Sequence, residues 1–321
     1  MKNLKLIKMT EIETQEVQWL WHPYIPFGKI TIIQGDPGEG KTHFVLAVAS
    51  ALTKGVQILN SAHQDPLTVI YQTTEDGLAD TIKPRLEMLQ EDCDKVIVID
   101  ESTQALSLSD ERIEQAIKET GAKLLILDPL QAYLGADVDM HRANEIRPIF
   151  HALGLVAERT GCAIIIIGHM NKGGGKSGYR GLGSIDITAA ARSVLVIGKS
   201  PQNPHAKVMA HSKSNLAPQG ASIAFEIGAE FRFIGECNVS VDELLGCFSR
   251  RDVLGEAKQL LSSLLSDTAQ PSKLIAEKSQ ALNISERTLK KAKKELGIVS
   301  VKTGEQWFSR LSVRNQGCNR A

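Results

Sequence analysis

Two spacings of apolar residues alternate along the chain. Residues 30–34, 68–72, 96–100, 124–128 and 163–168 form short, nearly continuous apolar runs, whereas residues 78–89, 110–120 and 143–159 return to an apolar side chain every three or four positions. The first spacing is that of strands covered on both faces and the second that of amphipathic helices. Their alternation predicts an α/β fold with a mostly parallel sheet flanked by helices. After residue 194 the pattern changes to strands with short connections, at 194–198, 207–211, 223–227 and 231–234, which predicts an antiparallel extension at one sheet edge.

A second texture follows. Residues 235–251 carry no strong period and place a domain boundary, giving domains 1–240 and 250–314. Beyond it, residues 253–265 and 272–282 read as amphipathic helices, and Ser285 reads as the N-cap of a third. Residues 298–311 read as a two-stranded wing turning at Thr303-Gly304, so the small domain is expected to be a winged helix-turn-helix.

The first apolar run feeds Gly35-Asp36-Pro37-Gly38-Glu39-Gly40-Lys41-Thr42, and a helical stretch begins at His43. That order is a complete phosphate-binding loop: glycines let successive N–H groups curl around phosphates, and the following helix aims its positive end at them. Lys41 is expected to reach the β- and γ-phosphates of ATP, and Thr42 to place its hydroxyl on Mg²⁺.

Composition narrows the class without adding chemistry. The chain has 321 residues, 42% hydrophobic and 23% charged, which fits a globular protein of one large or two modest domains. No apolar run is long enough to span a bilayer and the N-terminal residues lack a signal-peptide core, so no membrane role and a cytoplasmic location are expected. Five cysteines without a CxxC pair signal neither zinc nor a disulfide framework. Basic and acidic residues both number 37, so any nucleic-acid surface must be a local patch.

Hydrolysis needs more than a bound triphosphate. Asp128 closes a buried apolar run and is a candidate metal-organising carboxylate, the alternative being a turn residue before Pro129. Glu75 follows the run 68–72, on a strand expected near the first, where it could polarise the attacking water; the alternative is a solvated loop acid.

These elements, with Ile164-Ile165-Ile166-Ile167-Gly168-His169-Met170-Asn171-Lys172, resemble the RecA-type P-loop ATPase core. The resemblance is greatest to the AAA_25-type, plasmid RepA class of hexameric replicative helicases and its prophage relatives. Further matches are Trp19-Leu20-Trp21, Ile25-Pro26-Phe27-Gly28-Lys29, Tyr179-Arg180-Gly181-Leu182-Gly183-Ser184, Ala190-Ala191-Arg192-Ser193 and Lys213-Ser214-Asn215-Leu216-Ala217-Pro218. The resemblance implies that Glu75 is the catalytic base and His169 the γ-phosphate sensor. It implies that Lys172 and Lys176, in a glycine-rich loop, line a channel for single-stranded DNA. Arg180, Arg192 and Lys213 become candidates for a cation that reaches a neighbour's γ-phosphate. Related helicases often carry Lys-x-Arg where this chain has Lys213-Ser214-Asn215, so one cation of that pair is missing. No primase-docking region is expected before Trp19.

In the small domain, Arg287, Lys290, Lys291 and Lys294 share one face of a helix and suit phosphate contact, although such a face can equally dock a protein. The expected function is an ATP-hydrolysing homo-oligomer, a hexameric ring, acting on single-stranded or forked DNA with a replication initiator or primase as possible partner. The alternatives are a recombinase-like ATP switch without unwinding and an ATP-controlled DNA-binding regulator.

Overall fold

The structure is a computed structural model that describes residues 6–62, 65–89, 93–135, 138–170, 185–245, 253–265, 268–282, 284–304 and 306–311. Two compact units divide it, Met1–Cys247 and Phe248–Ala321.

In the first unit the strands are β1 (Trp19–Trp21), β2 (Ile25–Pro26), β3 (Ile30–Gly35), β4 (Val69–Thr73), β5 (Val96–Ile97), β6 (Leu124–Asp128), β7 (Ala163–His169), β8 (Ser193–Lys199), β9 (Ala206–Ser214), β10 (Ser222–Ile227) and β11 (Phe231–Cys237). The helices are α1 (Lys41–Lys54), α2 (Lys83–Met88), α3 (Glu111–Thr120), α4 (Ala143–Thr160), α5 (Ile185–Ala190) and α6 (Val241–Leu244). Nine strands form one sheet in the order β11-β10-β9-β8-β3-β7-β6-β4-β5. From β8 to β5 all neighbours are parallel, and β9, β10 and β11 extend the β8 edge antiparallel.

Strand pleating sends alternate residues to two cores. Ile33, Tyr71, Ile126, Ile165 and Ile167 face Phe44, Val45 and Val48 of α1, while Ile32, Ile70, Leu125, Leu127, Ile164 and Ile166 face Ile113 of α3 and Phe150 and Leu153 of α4. The continuous apolarity of the runs follows from this double cover. An aromatic cluster fixes the start of α1: Phe44 packs against Trp21, Phe225, Phe231 and Phe233 at centroid distances of 6.2, 5.2, 6.5 and 6.0 Å.

Three expectations change. β4 is not beside β3, because β7 and β6 stand between them. The run 96–100 pairs over only two residues, since the buried Gln72 side chain replaces the rest of the ladder. Its Oε1 accepts the Ile99 N–H at 2.5 Å, and its Nε2 donates to the Ile99 carbonyl at 3.2 Å and to Glu101 Oε1 at 2.7 Å. The expected helix 78–89 is a π-helical turn, Leu78–Ile82, followed by α2. Pro84 has no N–H for the carbonyl four residues back, so a regular helix cannot run through.

The second unit holds α7 (Val253–Leu264), β12 (Gln270–Pro271), α8 (Ser272–Ala281), α9 (Glu286–Glu295), β13 (Ile298–Thr303) and β14 (Gln306–Leu311). Its three strands are antiparallel in the order β12-β14-β13. A separate core joins Ala257, Leu261, Ile275, Ile284, Leu289 and Ala292. Ser285 caps α9 by accepting the Thr288 N–H at 3.2 Å. Among the described residues no helix is long and apolar enough to cross a membrane.

Replacing Gln72 with alanine leaves the Ile99 N–H and the Glu101 carboxylate short of a buried partner. The expected loss is about 1–3 kcal/mol in the unfolding free energy of the first unit. Urea denaturation followed by circular dichroism reads it; a Gln72→Ala midpoint equal to the wild type contradicts this role.

Candidate functional site

The parallel register brings four strand ends to one edge of the sheet. Gly35 of β3 pairs with His169 of β7, and Thr73 of β4 pairs with Asp128 of β6. This is the carboxyl edge, where loops of an open α/β sheet gather their ligands.

The loop after β3 wraps tightly. A Cβ on Gly35 would lie 2.2 Å from the Ile197 carbonyl oxygen, and Gly40, at φ +86°, would push one to 2.4 Å from Ile227 Cδ1. Both positions therefore require glycine. Helix α1 begins at Lys41, whose ammonium donates to the carbonyls of Gly35 and Asp36, each at 2.9 Å. Burial pulls the Lys41 pKa down, while Asp128, Asp36, Glu39 and Glu75 pull it up. Glu39 is tied across the loop to Lys207 of β9 at 2.8 Å and Lys199 of β8 at 3.8 Å. His43 lines a cavity of about 60 Å³ with Arg85, Met88, Ile227 and Phe231. Asp76 holds Arg85 there at 2.7 Å.

Asp128 is 6% exposed. Its Oδ2 accepts the Thr42 hydroxyl at 2.7 Å and the Tyr71 hydroxyl at 3.1 Å. Burial nevertheless raises its pKa, and Glu75 and Asp76 add to that rise against the two hydrogen bonds. Burial also raises the Tyr71 phenol, so it remains a donor. His169 Nε2 stands 3.8 Å from Glu75 Oε2, and among the described residues its buried Nδ1 has no hydrogen-bond partner. Glu75 itself is mostly exposed, its side chain reaching over the edge from two strands away.

The Thr42 hydroxyl and the buried Asp128 carboxylate in contact are hard oxygen donors, and Asp36, Glu39 and Glu75 add negative charge around the neighbouring Lys41. That set fits Mg²⁺.

The candidate cations lie elsewhere. The Arg192 N–H donates to the Ile30 carbonyl at 3.0 Å, at the start of β3, so Arg192 sits about 17 Å along the strand from Gly35. Lys213 pairs in register with Val194, at that same far edge. Its ammonium donates to the carbonyls of Thr188, Ala189 and Ala191 at 2.8, 3.1 and 2.9 Å, closing the end of α5. Burial lowers its pKa. Arg192 is exposed. Lys172, Lys176 and Arg180 lie outside the described residues. In the second unit Arg287, Lys290, Lys291 and Lys294 are all exposed on α9.

Sequence reasoning missed Tyr71, Arg85, Lys199 and Lys207. Tyr71 had a signal, a hydroxyl inside a buried strand; the lysines had none, because their service to Glu39 depends on strand order.

The AAA_25 profile, described as an AAA domain, matches residues 3–175, a span that contains the loop, Glu75, Asp128 and His169. The chain belongs to the AAA_25 family. This AAA_25 chain is 28% identical over 153 residues to the DNA repair protein RadA of Halalkalibacterium halodurans, covering 47% of the chain and 30% of RadA. To the RadA of Streptococcus pneumoniae it is 26% identical over 177 residues, covering 54% and 38%. The match thus spans about a third of the length of these curated relatives. Among solved structures it is similar to a KaiC-like protein from Pyrococcus horikoshii OT3, with a TM-score of 0.50 at 16% identity over 68% of the chain and 97% of that protein. It is also similar to the ATPase domain of G40P, with a TM-score of 0.50 at 15% identity over 65% and 84%. With the family, these likenesses make the first unit a RecA-like P-loop ATPase core.

A raised carboxyl pKa in the fold means that ionising Asp128 works against folding. In the nucleotide-free AAA_25 chain, this group's contribution to stability falls as pH rises from about 4, the unfolded value, through the raised folded value. Asp128→Asn removes the ionisation and is expected to raise the melting midpoint at pH 7 while flattening its pH dependence. Scanning calorimetry between pH 4 and 8 checks this, and a lower midpoint for Asp128→Asn at pH 7 contradicts it.

Proposed function

We propose that this AAA_25 chain is an oligomeric, ATP-hydrolysing motor that acts on DNA, of the kind that serves as replicative helicase for plasmid or phage-like elements. The observation that carries the reading is the division of the site between the two ends of one sheet. The loop, Asp128, Glu75 and His169 stand at the carboxyl edge, and the exposed Arg192 stands about 17 Å away at the other.

In this mechanism Lys41 leaves the Gly35 and Asp36 carbonyls for the β- and γ-phosphates, and the loop N–H groups hold their oxygens. Thr42 Oγ1 and the Asp128 carboxylate would hold Mg²⁺, with Tyr71 orienting that carboxylate. A metal held there would supply charge neutralisation for the phosphates. Glu75 takes the proton of the attacking water, and His169, 3.8 Å away, reads the γ-phosphate position into the loop that follows β7. The cavity between Arg85 and Phe231 receives the edge of the base.

Charge on the transferring phosphoryl needs a further cation, and within one chain none of the candidates Arg192 and Lys213 reaches it. A neighbouring chain supplies it, with Arg192 as the finger and Lys213 bracing the helix before it. Head-to-tail repetition of that contact closes a ring, here a hexamer. Lys172, Lys176 and Arg180 contact single-stranded DNA in its channel, and the second unit acts as a winged helix. A replication initiator or primase is the expected partner in loading. The RadA likeness favours a second reading, an ATP-dependent DNA-binding switch without unwinding.

Hydrolysis measured against protein concentration is expected to rise faster than linearly until assembly is complete, and Lys41→Ala to lower it by about 10²-fold or more. Displacement of a strand from a forked duplex, absent in Lys41→Ala, supports the motor. DNA-stimulated hydrolysis without displacement supports the switch, and a specific activity independent of protein concentration contradicts the intersubunit site.

A further inference from the structure

The formal charge of zero conceals two opposed units. Phe248–Ala321 contains 14 Lys and Arg against 7 Asp and Glu, a net of +7, so Met1–Cys247 carries 23 against 30, a net of −7. In the second unit the excess is displayed on α9, where Arg287, Lys290, Lys291 and Lys294 are exposed. Their acidic neighbours restrain them little: Lys290 is 4.0 Å from Glu286 and Lys291 is 4.0 Å from Glu295, both at exposed positions.

The β13–β14 hairpin carries an aromatic residue that packing does not explain. Trp307 of β14 is 55% exposed and is paired directly across the hairpin with Lys302 of β13. Strand alternation puts Trp307 on the same face as Ser309, whose hydroxyl accepts the Lys293 ammonium of α9 at 3.0 Å. The indole therefore stands next to Lys302, on the face of the hairpin from which Ser309 meets α9.

We infer that the β13–β14 hairpin and α9 form a binding site for single-stranded nucleic acid, in which Trp307 stacks on an unpaired base and Lys302 and the α9 cations take the flanking phosphates. An exposed indole paired with a lysine, in a unit whose basic excess is displayed on an exposed helix, matches such a strand better than it matches a protein surface. Every base offers a π-face, and phosphates recur at a spacing that a row of lysines can follow. The site extends the reading of the chain as a DNA-acting ATPase, yet it does not require hydrolysis and is tested apart from it.

The test is quenching of tryptophan fluorescence in the full-length chain, whose only other tryptophans are Trp19 and Trp21. Titration with oligo-dT and oligo-rU, the two sources of the same chemistry, is expected to quench the signal of Trp307, with the stronger quench identifying the preferred sugar. Trp307→Ala is expected to lose the quench and bind about ten-fold more weakly. Trp307→Phe keeps most of the affinity, which separates stacking from misfolding, and both variants keep basal ATP hydrolysis. Lys41→Ala retains the quench, so a failure of the motor reading and a failure of this site look different. Unchanged affinity in Trp307→Ala, or equal quenching by polyphosphate or polyglutamate of matched charge, overturns the inference.

Discussion

Burial of the Asp128 carboxylate at the carboxyl end of β6 sets the terms on which the first unit is built. An ionised carboxylate in that position is costly unless donors and a cation meet it. Two donors are supplied from different elements, the Thr42 hydroxyl from α1 and the Tyr71 hydroxyl from β4. Those bonds are possible only because the parallel register aligns the ends of β3, β7, β6 and β4. The two apolar cores that hold the sheet between α1 on one face and α3 and α4 on the other thus fix the position of a charged oxygen.

The same sheet separates the two halves of the proposed chemistry. Stiff β-structure runs from the phosphate loop at one end of β3 to Arg192 at the other, and β8 connects Arg192 to Lys199, which faces Glu39. Lys207 on β9 holds Glu39 from the antiparallel extension, and Lys213 on that same strand closes α5. Two strands thus run from the phosphate loop to the far edge. In an assembly of the proposed kind, that edge is where a neighbour's nucleotide lies.

The strands and most helices were legible because burial on both faces leaves a continuous apolar run, as at Leu124–Asp128 and Ala163–His169. The phosphate loop was legible because its chemistry is local. Long-range placement was not. Nothing in the residues around Glu75 shows that β7 and β6 stand between its strand and β3, since strand order is decided by packing across the whole sheet. β5 reads as a full strand, yet Gln72 takes over its hydrogen bonds from 27 residues away. Lys213 reads as a free cation, and only the fold brings it to three carbonyls of α5. Net charge misled in a similar way, because a sum over the chain cancels two units of opposite sign.

The central claim is that the ATP site is completed by a second chain, and subunit mixing tests it most directly. Lys41→Ala retains Arg192 but lacks a working loop, whereas Arg192→Ala retains the loop but lacks the cation. Each is expected to be inactive alone. Equal mixtures re-form interfaces that join a sound loop to a sound arginine, about one in four if assembly is random along a head-to-tail ring. The account predicts that ATP hydrolysis returns toward a quarter of the wild-type rate on mixing. Hydrolysis by Arg192→Ala alone at the wild-type rate, or no recovery in mixtures that co-assemble, contradicts it.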